Sequence, residues 1–371
     1  MRLTPLTLAT LVGCIVPPGP RPGDDDDDPL EVVTRDVETD ANGQYTLRVE
    51  VPKGVTHFQV TGTGDVRGNW IYVEKLVDPN GERVLWWRDW WYSPESLTMA
   101  VFGDHVTAFD WPIRDVDGEL TPGVWEVSGS MTDADSYYTN RGTMHTSIAT
   151  KRDDDFTDGT VAVRVVWAEG IDDDAEVVAA VEQAVERWRE VWGLAGITLE
   201  ETYVSSSLDP GLGFGPKGND PDLEQQSQSK DPHQIQLVVG EAVDGHPLLY
   251  GVAGGIPGTI VPSGSTYVVL SWLTHAGRDA KFDADEIRLM GETMAHECGH
   301  YTGLFHPVES DYSAWDALDD TPECRSGNNC DDVLGTNVMY PYSICGGGSC
   351  LATDELTADQ SGVMQRYIGA L

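Results

Sequence analysis

The sequence predicts two folded units, an all-β sandwich followed by an α/β domain, and three observations support this prediction. Residues 31–150 alternate apolar and polar side chains with a period of two and show no long helical period. From residue 158 onward, strand patterns alternate with amphipathic helical patterns, which is typical of α/β domains. A chain of 371 residues is also long for a single domain.

The composition restricts the classes of partner. Hydrophobic residues make up 40% of the chain, which is enough to build packed cores. The formal net charge of −39 argues against nucleic-acid binding and against adsorption on anionic lipid. The many carboxylates fit an exported protein that either is adapted to salt or binds calcium, and the count does not separate these two readings. No apolar run reaches the length of a membrane span.

The first 30 residues predict an export signal and a tether. Met1 and Arg2 give a short basic start, and an apolar stretch then leads to Leu11-Val12-Gly13-Cys14. This pattern resembles a bacterial lipoprotein signal, which implies removal of residues 1–13 and lipid attachment to Cys14. The alternative is an ordinary secretory signal with an incidental cysteine. Residues 14–30 are rich in proline and aspartate and predict a solvated tether.

The predicted sandwich occupies residues 31–150 as an accessory domain. One face of its clearest strand is formed by Tyr45, Leu47, Val49 and Val51. Similar runs recur at residues 69–76, 83–87, 97–102, 123–127 and 144–148, separated by proline- and glycine-containing turns. Residues 150–159 are polar and charged, which indicates a linker between the two units.

A dense aromatic cluster lies within the predicted sandwich and consists of Trp86, Trp87, Trp90, Trp91 and Tyr92. Packing in the sandwich core is the preferred interpretation. The alternative is a stacking platform for carbohydrate or for a protein substrate.

The second unit, residues 158–371, begins with a strand pattern at 160–167. A helix follows, with an apolar face at spacings of four, four, three and four residues, formed by Val177, Val181, Val185, Trp188 and Trp192. Further strands are predicted at 197–204, 234–239 and 266–272, with a mobile loop at 205–232. The glycines and the proline of residues 251–258 suit an edge strand.

A histidine-rich motif in residues 296–306 predicts a catalytic zinc site. His296 and His300 are four residues apart and share one face of a helix. Gly303 permits the chain to leave the helix and to bring His306 back as a third ligand. Three imidazoles with one open position are typical of catalytic zinc, and Glu297 stands beside the first ligand as the candidate base. Cys298 points away from the ligands and is predicted to be buried.

The motif resembles that of the metzincin clan of zinc endopeptidases. A second motif, Asn337-Val338-Met339-Tyr340-Pro341-Tyr342, lies after His306 and resembles the Met-turn of that clan. The resemblance implies a metzincin catalytic domain, α+β or α/β, with a mixed twisted sheet, an active-site helix and a C-terminal helix. It also implies that Met339 packs beneath the zinc ion and that the edge strand pairs with an extended substrate.

The residues after Met339 resemble those of matrixins, in which this segment forms a wall of the pocket for the residue after the scissile bond. Pro341 and Tyr342 are therefore the expected pocket residues. Astacin-like and pappalysin-like members place a tyrosine two positions after the methionine, where this sequence has Pro341. We therefore expect Tyr342 to form part of the pocket wall and not to assist the transition state.

An acidic segment after the zinc motif resembles the corresponding part of pappalysin-type metzincins. Its candidate calcium ligands are Asp316, Asp319, Asp320 and Thr321, and the alternative is a solvated acidic loop.

Four cysteines follow the zinc motif and predict two disulfides with three possible connectivities: Cys324, Cys330, Cys345 and Cys350. A second structural zinc site is the competing interpretation, although the spacings contain no C-x-x-C pair.

These patterns together predict a zinc-dependent metalloendopeptidase that hydrolyses peptide bonds in protein or peptide substrates at the cell surface. The expected cofactor is Zn²⁺, with Ca²⁺ as a candidate second ion. The expected location is the bacterial cell envelope through a lipid anchor, at the outer membrane or cell surface, or the secreted fraction. One alternative is a surface adhesin with a vestigial metalloprotease fold, and another is a zinc hydrolase that acts on substrates other than peptides.

Overall fold

The computed structural model describes residues 30–86, 98, 105–133, 135–136, 138–152, 156–213, 221–228, 233–243, 248–346 and 349–371. The predicted signal and tether, including Cys14, lie outside the described residues. So do four members of the aromatic cluster, Trp87, Trp90, Trp91 and Tyr92, and the predicted strand at 97–102 except for residue 98. Within the described residues, none of the helices has the length and apolar character needed to cross a membrane.

The N-terminal unit consists of two antiparallel sheets. Its described strands are β1 (Leu30–Glu38), β2 (Gln44–Val51), β3 (His57–Gly64), β4 (Asn69–Val77), β5 (Arg83–Trp86), β6 (Val106–Trp111), β7 (Gly123–Asp133) and β8 (Thr143–Lys151). One sheet has the order β1-β8-β3-β6 and the other has the order β2-β7-β4-β5. In β2, the four alternating apolar residues that predict the strand are all buried.

The two sheets pack face to face and form the predicted sandwich. Phe58 on β3 and Trp125 on β7 meet with their ring centroids 6.0 Å apart and their planes inclined by 60°. Phe109 and Trp111 on β6 continue this aromatic layer. Trp86, at the end of β5, is half-exposed, and the guanidinium of Arg83 lies 3.8 Å from its ring centroid.

The C-terminal unit is an α/β domain. Its strands are β9 (Gly159–Trp167), β10 (Ile197–Ser205), β11 (Gly211–Leu212), β12 (Gln234–Gly240), β13 (Ala242–Val243), β14 (Gly251–Ala253), β15 (Val268–Ser271), β16 (Cys345–Gly346) and β17 (Ser349–Cys350). Its helices are α1 (Ala175–Gly193), α2 (Pro221–Gln228), α3 (Trp272–His275), α4 (Ala284–Tyr301), α5 (Gly327–Leu334) and α6 (Ala358–Arg366). The main sheet has the order β10-β9-β12-β15-β14. Its strands are parallel except for β14, which is an antiparallel edge strand.

Helix α1 supports the helix that carries the zinc motif. The Asp174 side chain accepts hydrogen bonds from the first backbone N–H groups of α1, and the five residues of the predicted apolar face are all buried. The indole N–H of Trp192 donates to the carbonyl of Ala295 on α4 at 3.2 Å. This contact joins the two helices one residue before the motif.

One prediction about local structure is wrong, and one predicted strand is present but shorter than expected. The predicted mobile loop at 205–232 contains the short strand β11 and the helix α2 among its described residues. The strand predicted at 266–272 ends at Ser271, because the Ser271 hydroxyl accepts a hydrogen bond from the Thr274 N–H and caps α3, which starts at Trp272.

The four clustered cysteines form two disulfides. This confirms the disulfide prediction and excludes the alternative in which these cysteines bind a second zinc ion. The pairs are Cys324–Cys330 and Cys345–Cys350. Cys298 is a free thiol and is fully buried.

The two units share a buried polar interface. The Gln59 amide on β3 donates to the carbonyl of Gly258 at 3.1 Å and accepts from the N–H of Ile260 at 2.7 Å. The ammonium of Lys151, at the end of β8, is fully buried and donates to the carbonyl of Ala370. Apolar residues of both units belong to one continuous core. The sandwich is therefore packed firmly against the α/β domain.

Candidate metal centre

Helix α4 presents the first two histidines of the motif. Asp283 and Glu286 form a reciprocal capping box at its N-terminus, and Met290 and Met294 anchor its inner face in the core. Beyond the helix, Gly303 adopts φ of 108°, a left-handed conformation that glycine accommodates without strain. This turn brings His306 back beside His296 and His300.

The three imidazoles converge through their Nε2 atoms. Nε2 of His306 lies 3.1 Å from Nε2 of His300 and 3.3 Å from Nε2 of His296. A tetrahedral zinc ion with Zn–N bonds of about 2.0–2.1 Å would place its nitrogen ligands about 3.3–3.4 Å apart. The observed separations therefore fit zinc. Among the described residues, these three form the group of metal-ligating side chains whose ligand atoms lie close together.

The opposite ring nitrogens fix the tautomers of these histidines. Nδ1 of His296 lies 2.7 Å from the carbonyl oxygen of Val338, and Nδ1 of His300 lies 2.7 Å from that of Leu304. A carbonyl oxygen only accepts, so each Nδ1 carries the proton and each Nε2 presents a lone pair. Nδ1 of His306 faces the carboxylate of Glu309 at 3.3–3.4 Å. The three lone pairs repel one another unless a cation lies between them.

Burial keeps the first two ligands neutral. It lowers the pKa of His296 to about 3, and a positive charge on His306 acts in the same direction. Burial also holds the pKa of His300 well below its ordinary value. Neutral imidazoles at physiological pH are the form that binds a metal.

Glu297 is half-buried between α4 and the edge strand β14. Its carboxylate accepts a hydrogen bond from the backbone N–H of Ala253. Burial raises the pKa of Glu297 to about 8, and the Ala253 N–H opposes this shift. A carboxyl group with a pKa near neutrality can both accept and return a proton.

The Met-turn segment lies against the turn of α4 that bears the ligands. Met339 is fully buried, and a Cβ atom built on Gly299 would lie 2.7 Å from its sulfur, so that the absence of a side chain at Gly299 admits the methionine. The Asn337 side chain accepts from the Met339 N–H at 2.9 Å and forms a two-bond amide pair with Gln360, which caps α6. This arrangement fixes the Val338 carbonyl that anchors His296.

The two predicted pocket residues lie beside the histidines. Pro341 and Tyr342 line a pocket of about 90 Å³ that also contains His296 and Glu297. The Tyr342 hydroxyl donates to the carbonyl of Ser310 at 2.7 Å. This hydrogen bond ties the Tyr342 hydroxyl to the loop that follows the zinc motif.

Several residues of this region were missed in the sequence. Tyr250 and Leu289 line both the pocket and a neighbouring cavity of about 420 Å³. Glu292, which is 1% exposed, lies at the pocket and pairs with Arg288 at 2.8 Å and with Arg187 of α1 at 2.9 Å. Arg288 and Glu292 are four residues apart on α4, and this spacing could have predicted their ion pair from the sequence.

The four candidate calcium ligands do not converge in the same manner as the histidines. Asp316 accepts a hydrogen bond from Thr321, and burial raises the pKa of Asp316 to about 7. Asp319 and Asp320 are exposed, and Asp320 accepts from the backbone N–H of Asp359 at 2.9 Å. Calcium binding by this segment stays a prediction.

No protein-family model matches this chain, and no curated protein matches it. Similar solved structures include metalloproteinase-II from Bacteroides fragilis, with 12% identity, a TM-score of 0.28, and coverage of 51% of this chain and 61% of that chain. They also include myroilysin, with 14% identity, a TM-score of 0.27, and coverage of 57% and 95%. The chain thus spans less than two thirds of the Bacteroides protein. At these values the comparisons assign the chain to no family, and the functional proposal depends on the geometry of the site.

Proposed function

We propose that this protein is a zinc-dependent metalloendopeptidase that hydrolyses peptide bonds in protein substrates. The main support is the convergence of His296, His300 and His306, with Nε2 separations of 3.1 and 3.3 Å, beside the carboxylate of Glu297. If bound by these three imidazoles, a zinc ion would act as a Lewis acid for the peptide carbonyl and would lower the pKa of the attacking water molecule.

Glu297 acts as the general base and then as the general acid. Its carboxylate takes a proton from the attacking water as the new C–O bond forms at the peptide carbonyl. The same group then gives that proton to the amine nitrogen as the C–N bond breaks, so that the carboxylate is regenerated.

The edge strand β14 supplies the surface for an extended peptide. Tyr250 is hydrogen-bonded to Ser271 and Gly254 to Tyr267, so the alternation of an antiparallel pair directs the N–H of Gly251 and the carbonyls of Gly251 and Ala253 toward the open edge. A peptide can add there as a further strand, and one of its side chains can enter the pocket beside Pro341 and Tyr342.

We also propose that the protein acts at the bacterial cell surface, held by a lipid on Cys14. The lipoprotein-like signal supports this part of the proposal. If it is correct, Cys14→Ser moves the protein from the membrane fraction to the soluble fraction of a fractionated bacterial host. An unchanged membrane association would contradict the lipid anchor.

Metal analysis combined with hydrolysis of casein tests the proposal. We expect one zinc ion per chain and casein cleavage that a chelator abolishes and added zinc restores. A protein that binds zinc stoichiometrically but cleaves neither casein nor a diverse peptide library would favour a zinc hydrolase of another class. A protein that binds no zinc would favour the adhesin with a vestigial site.

A further inference from the structure

The edge strand contacts the candidate base directly. The Ala253 N–H, which points away from β15, donates to the Glu297 carboxylate. The strand that faces an incoming peptide therefore also holds the carboxylate of Glu297. Two positions earlier on the same side of the strand lies Gly251.

Gly251 lies against the stem of Glu297. A Cβ atom built on Gly251 would be 2.8 Å from Cγ of Glu297 and 3.0 Å from the carbonyl oxygen of Val269. Unstrained carbon–carbon contacts are about 3.5–4.0 Å. The backbone of Gly251 is not among the described glycines with positive φ, so the requirement for glycine here is space and not conformation.

The two overlaps differ in how they can be relieved. Val269 belongs to β15, which is fully buried and paired with both β14 and β12, so its carbonyl oxygen is held by the sheet. The Glu297 stem can move by rotation about its side-chain torsions. An added methyl group at Gly251 would therefore displace the Glu297 carboxylate from the Ala253 N–H.

We propose that Gly251 is a positioning residue for Glu297. Its lack of a side chain lets the Glu297 stem lie against β14, where the Ala253 N–H orients the carboxylate. This inference depends on the proposed function in so far as it treats Glu297 as the base. The contact between Gly251 and Glu297 itself can be tested without any hydrolysis.

The first experiment measures the kinetics of Gly251→Ala with one peptide substrate. The zinc content is expected to stay at one per chain, because no histidine moves. We expect kcat to fall about tenfold or more, in line with the roughly 10²-fold loss that small misplacements of catalytic groups cause, while KM changes much less. The matched control is Gly240→Ala on β12, which β15 separates from β14. There the added Cβ would lie 2.6 Å from the carbonyl oxygen of Pro210 and would meet side-chain atoms of Leu212 and not those of Glu297. An unchanged kcat in zinc-loaded Gly251→Ala would overturn the proposal.

The second experiment is a double-mutant cycle on stability. Gly251→Ala is combined with Glu297→Ala, which removes the Cγ atom, and the unfolding equilibrium of each protein is measured in denaturant. We expect Gly251→Ala to destabilise the native background more than the Glu297→Ala background, with a coupling of about fivefold or more in the unfolding equilibrium constant. Gly240→Ala is expected to lower the free energy of unfolding by the same amount in both backgrounds.

If Gly251→Ala lowers the free energy of unfolding equally in both backgrounds, the inference is overturned even if the protein proves to be a protease. The expected coupling would support the contact even if no hydrolysis is detected, in which case the proposed function alone fails. If Gly251→Ala does not fold, recovery of folding in the double variant supports the inference, and continued failure overturns it.

Discussion

At the scale of single residues, the candidate zinc site depends on backbone carbonyls as much as on histidines. The Val338 and Leu304 carbonyls hold the Nδ1 protons of His296 and His300 and direct both Nε2 lone pairs inward. Outer contacts of this kind set the orientation and basicity of metal ligands. The side chain of Asn337 fixes the turn that contains Val338 and is therefore part of the same support.

We predict that Asn337→Ala weakens zinc binding by about 10- to 100-fold, as is typical for outer-shell substitutions. The substitution leaves the Met339 N–H and the Gln360 side chain without their buried partner, so the turn shifts beneath His296. Competition with a chromogenic chelator measures the affinity. The control is Thr336→Val, which removes a hydroxyl that pairs with Glu355 at the surface. Equal affinities for Asn337→Ala and the unmodified protein would contradict this account.

Tyr342 provides a test of the pocket assignment. Because its hydroxyl is bound to the Ser310 carbonyl, we predict that Tyr342→Phe lowers kcat/KM by less than about tenfold. Loss of a donor that stabilises an oxyanion would cost roughly 10²- to 10³-fold. Steady-state kinetics on one peptide decides between these roles, and a loss in the larger range would show that the hydroxyl acts in the transition state.

At the scale of elements, the junction between β15 and α3 packs against the motif helix through a buried histidine. Nδ1 of His275 lies 2.6 Å from the Ser271 carbonyl, and Nε2 lies 3.0 Å from the Thr293 hydroxyl on α4. Nδ1 donates to the Ser271 carbonyl, and the Thr293 hydroxyl itself donates to the carbonyl of Leu289 at 2.9 Å. Burial lowers the pKa of His275 to about 4.

This burial predicts a pH dependence of stability. The folded protein keeps His275 neutral down to about pH 4, whereas the unfolded chain takes up the proton near pH 6.5. The contribution is therefore complete above pH 6.5 and is lost as the pH falls toward 4, by up to about 3 kcal/mol. In His275→Asn, whose amide can still donate to Ser271, the free energy of unfolding should fall less steeply over this range. Identical slopes for the two proteins in urea titrations would contradict the prediction.

The elements that the sequence predicts well are those with one buried face. Strand β2 and helix α1 are examples. Each has a solvent-exposed face of polar residues, so its apolar residues recur in the sequence with the period of a strand or of a helix. Strands β3 and β6 were missed since nearly every residue in them is buried, so they show no alternation. Helix α2 has one large buried apolar side chain, that of Leu223 in its first turn, and shows no apolar stripe.

The residues of the candidate site also divide into those that the sequence predicts and those that only the fold reveals. His296, Glu297 and His300 could be predicted because their spacing on one helix determines their geometry. The contacts of Gly251 and Ala253 with Glu297 could not, because they join segments more than 40 residues apart in sequence and depend on the position of β14 at the sheet edge. The role of a glycine that provides space becomes visible only when its neighbour in the fold is known.

At the scale of the whole molecule, the sandwich and the α/β domain form one unit through the buried amide of Gln59. This side chain also donates to the Asp110 carboxylate at 2.7 Å. The loop that it contacts is joined to α4, because the Tyr301 hydroxyl donates to the Thr259 carbonyl at 2.7 Å. The sandwich therefore supports the end of α4 from which the chain turns toward His306.

We predict that the two domains unfold in a single cooperative transition and that Gln59→Leu lowers the free energy of unfolding by at least about 2 kcal/mol. Leucine is similar in size to glutamine, but the substitution leaves the Ile260 N–H buried without its acceptor and removes one donor from the Gly258 carbonyl. Calorimetry and urea unfolding measure both effects. Gln44→Leu, at an exposed position on β2, is the control. Two separate transitions in the unmodified protein would contradict the integrated interface.

The central claim, that Glu297 performs proton transfer beside a zinc ion held by three histidines, is tested most directly by one comparison. Zinc content and the rate of casein hydrolysis are measured for the unmodified protein, for Glu297→Gln, and for Glu200→Gln, an exposed control on β10. The account predicts one zinc per chain in all three and a loss of about 10²- to 10⁴-fold in hydrolysis for Glu297→Gln alone. A zinc-loaded Glu297→Gln protein that cleaves casein as fast as the unmodified protein would contradict it.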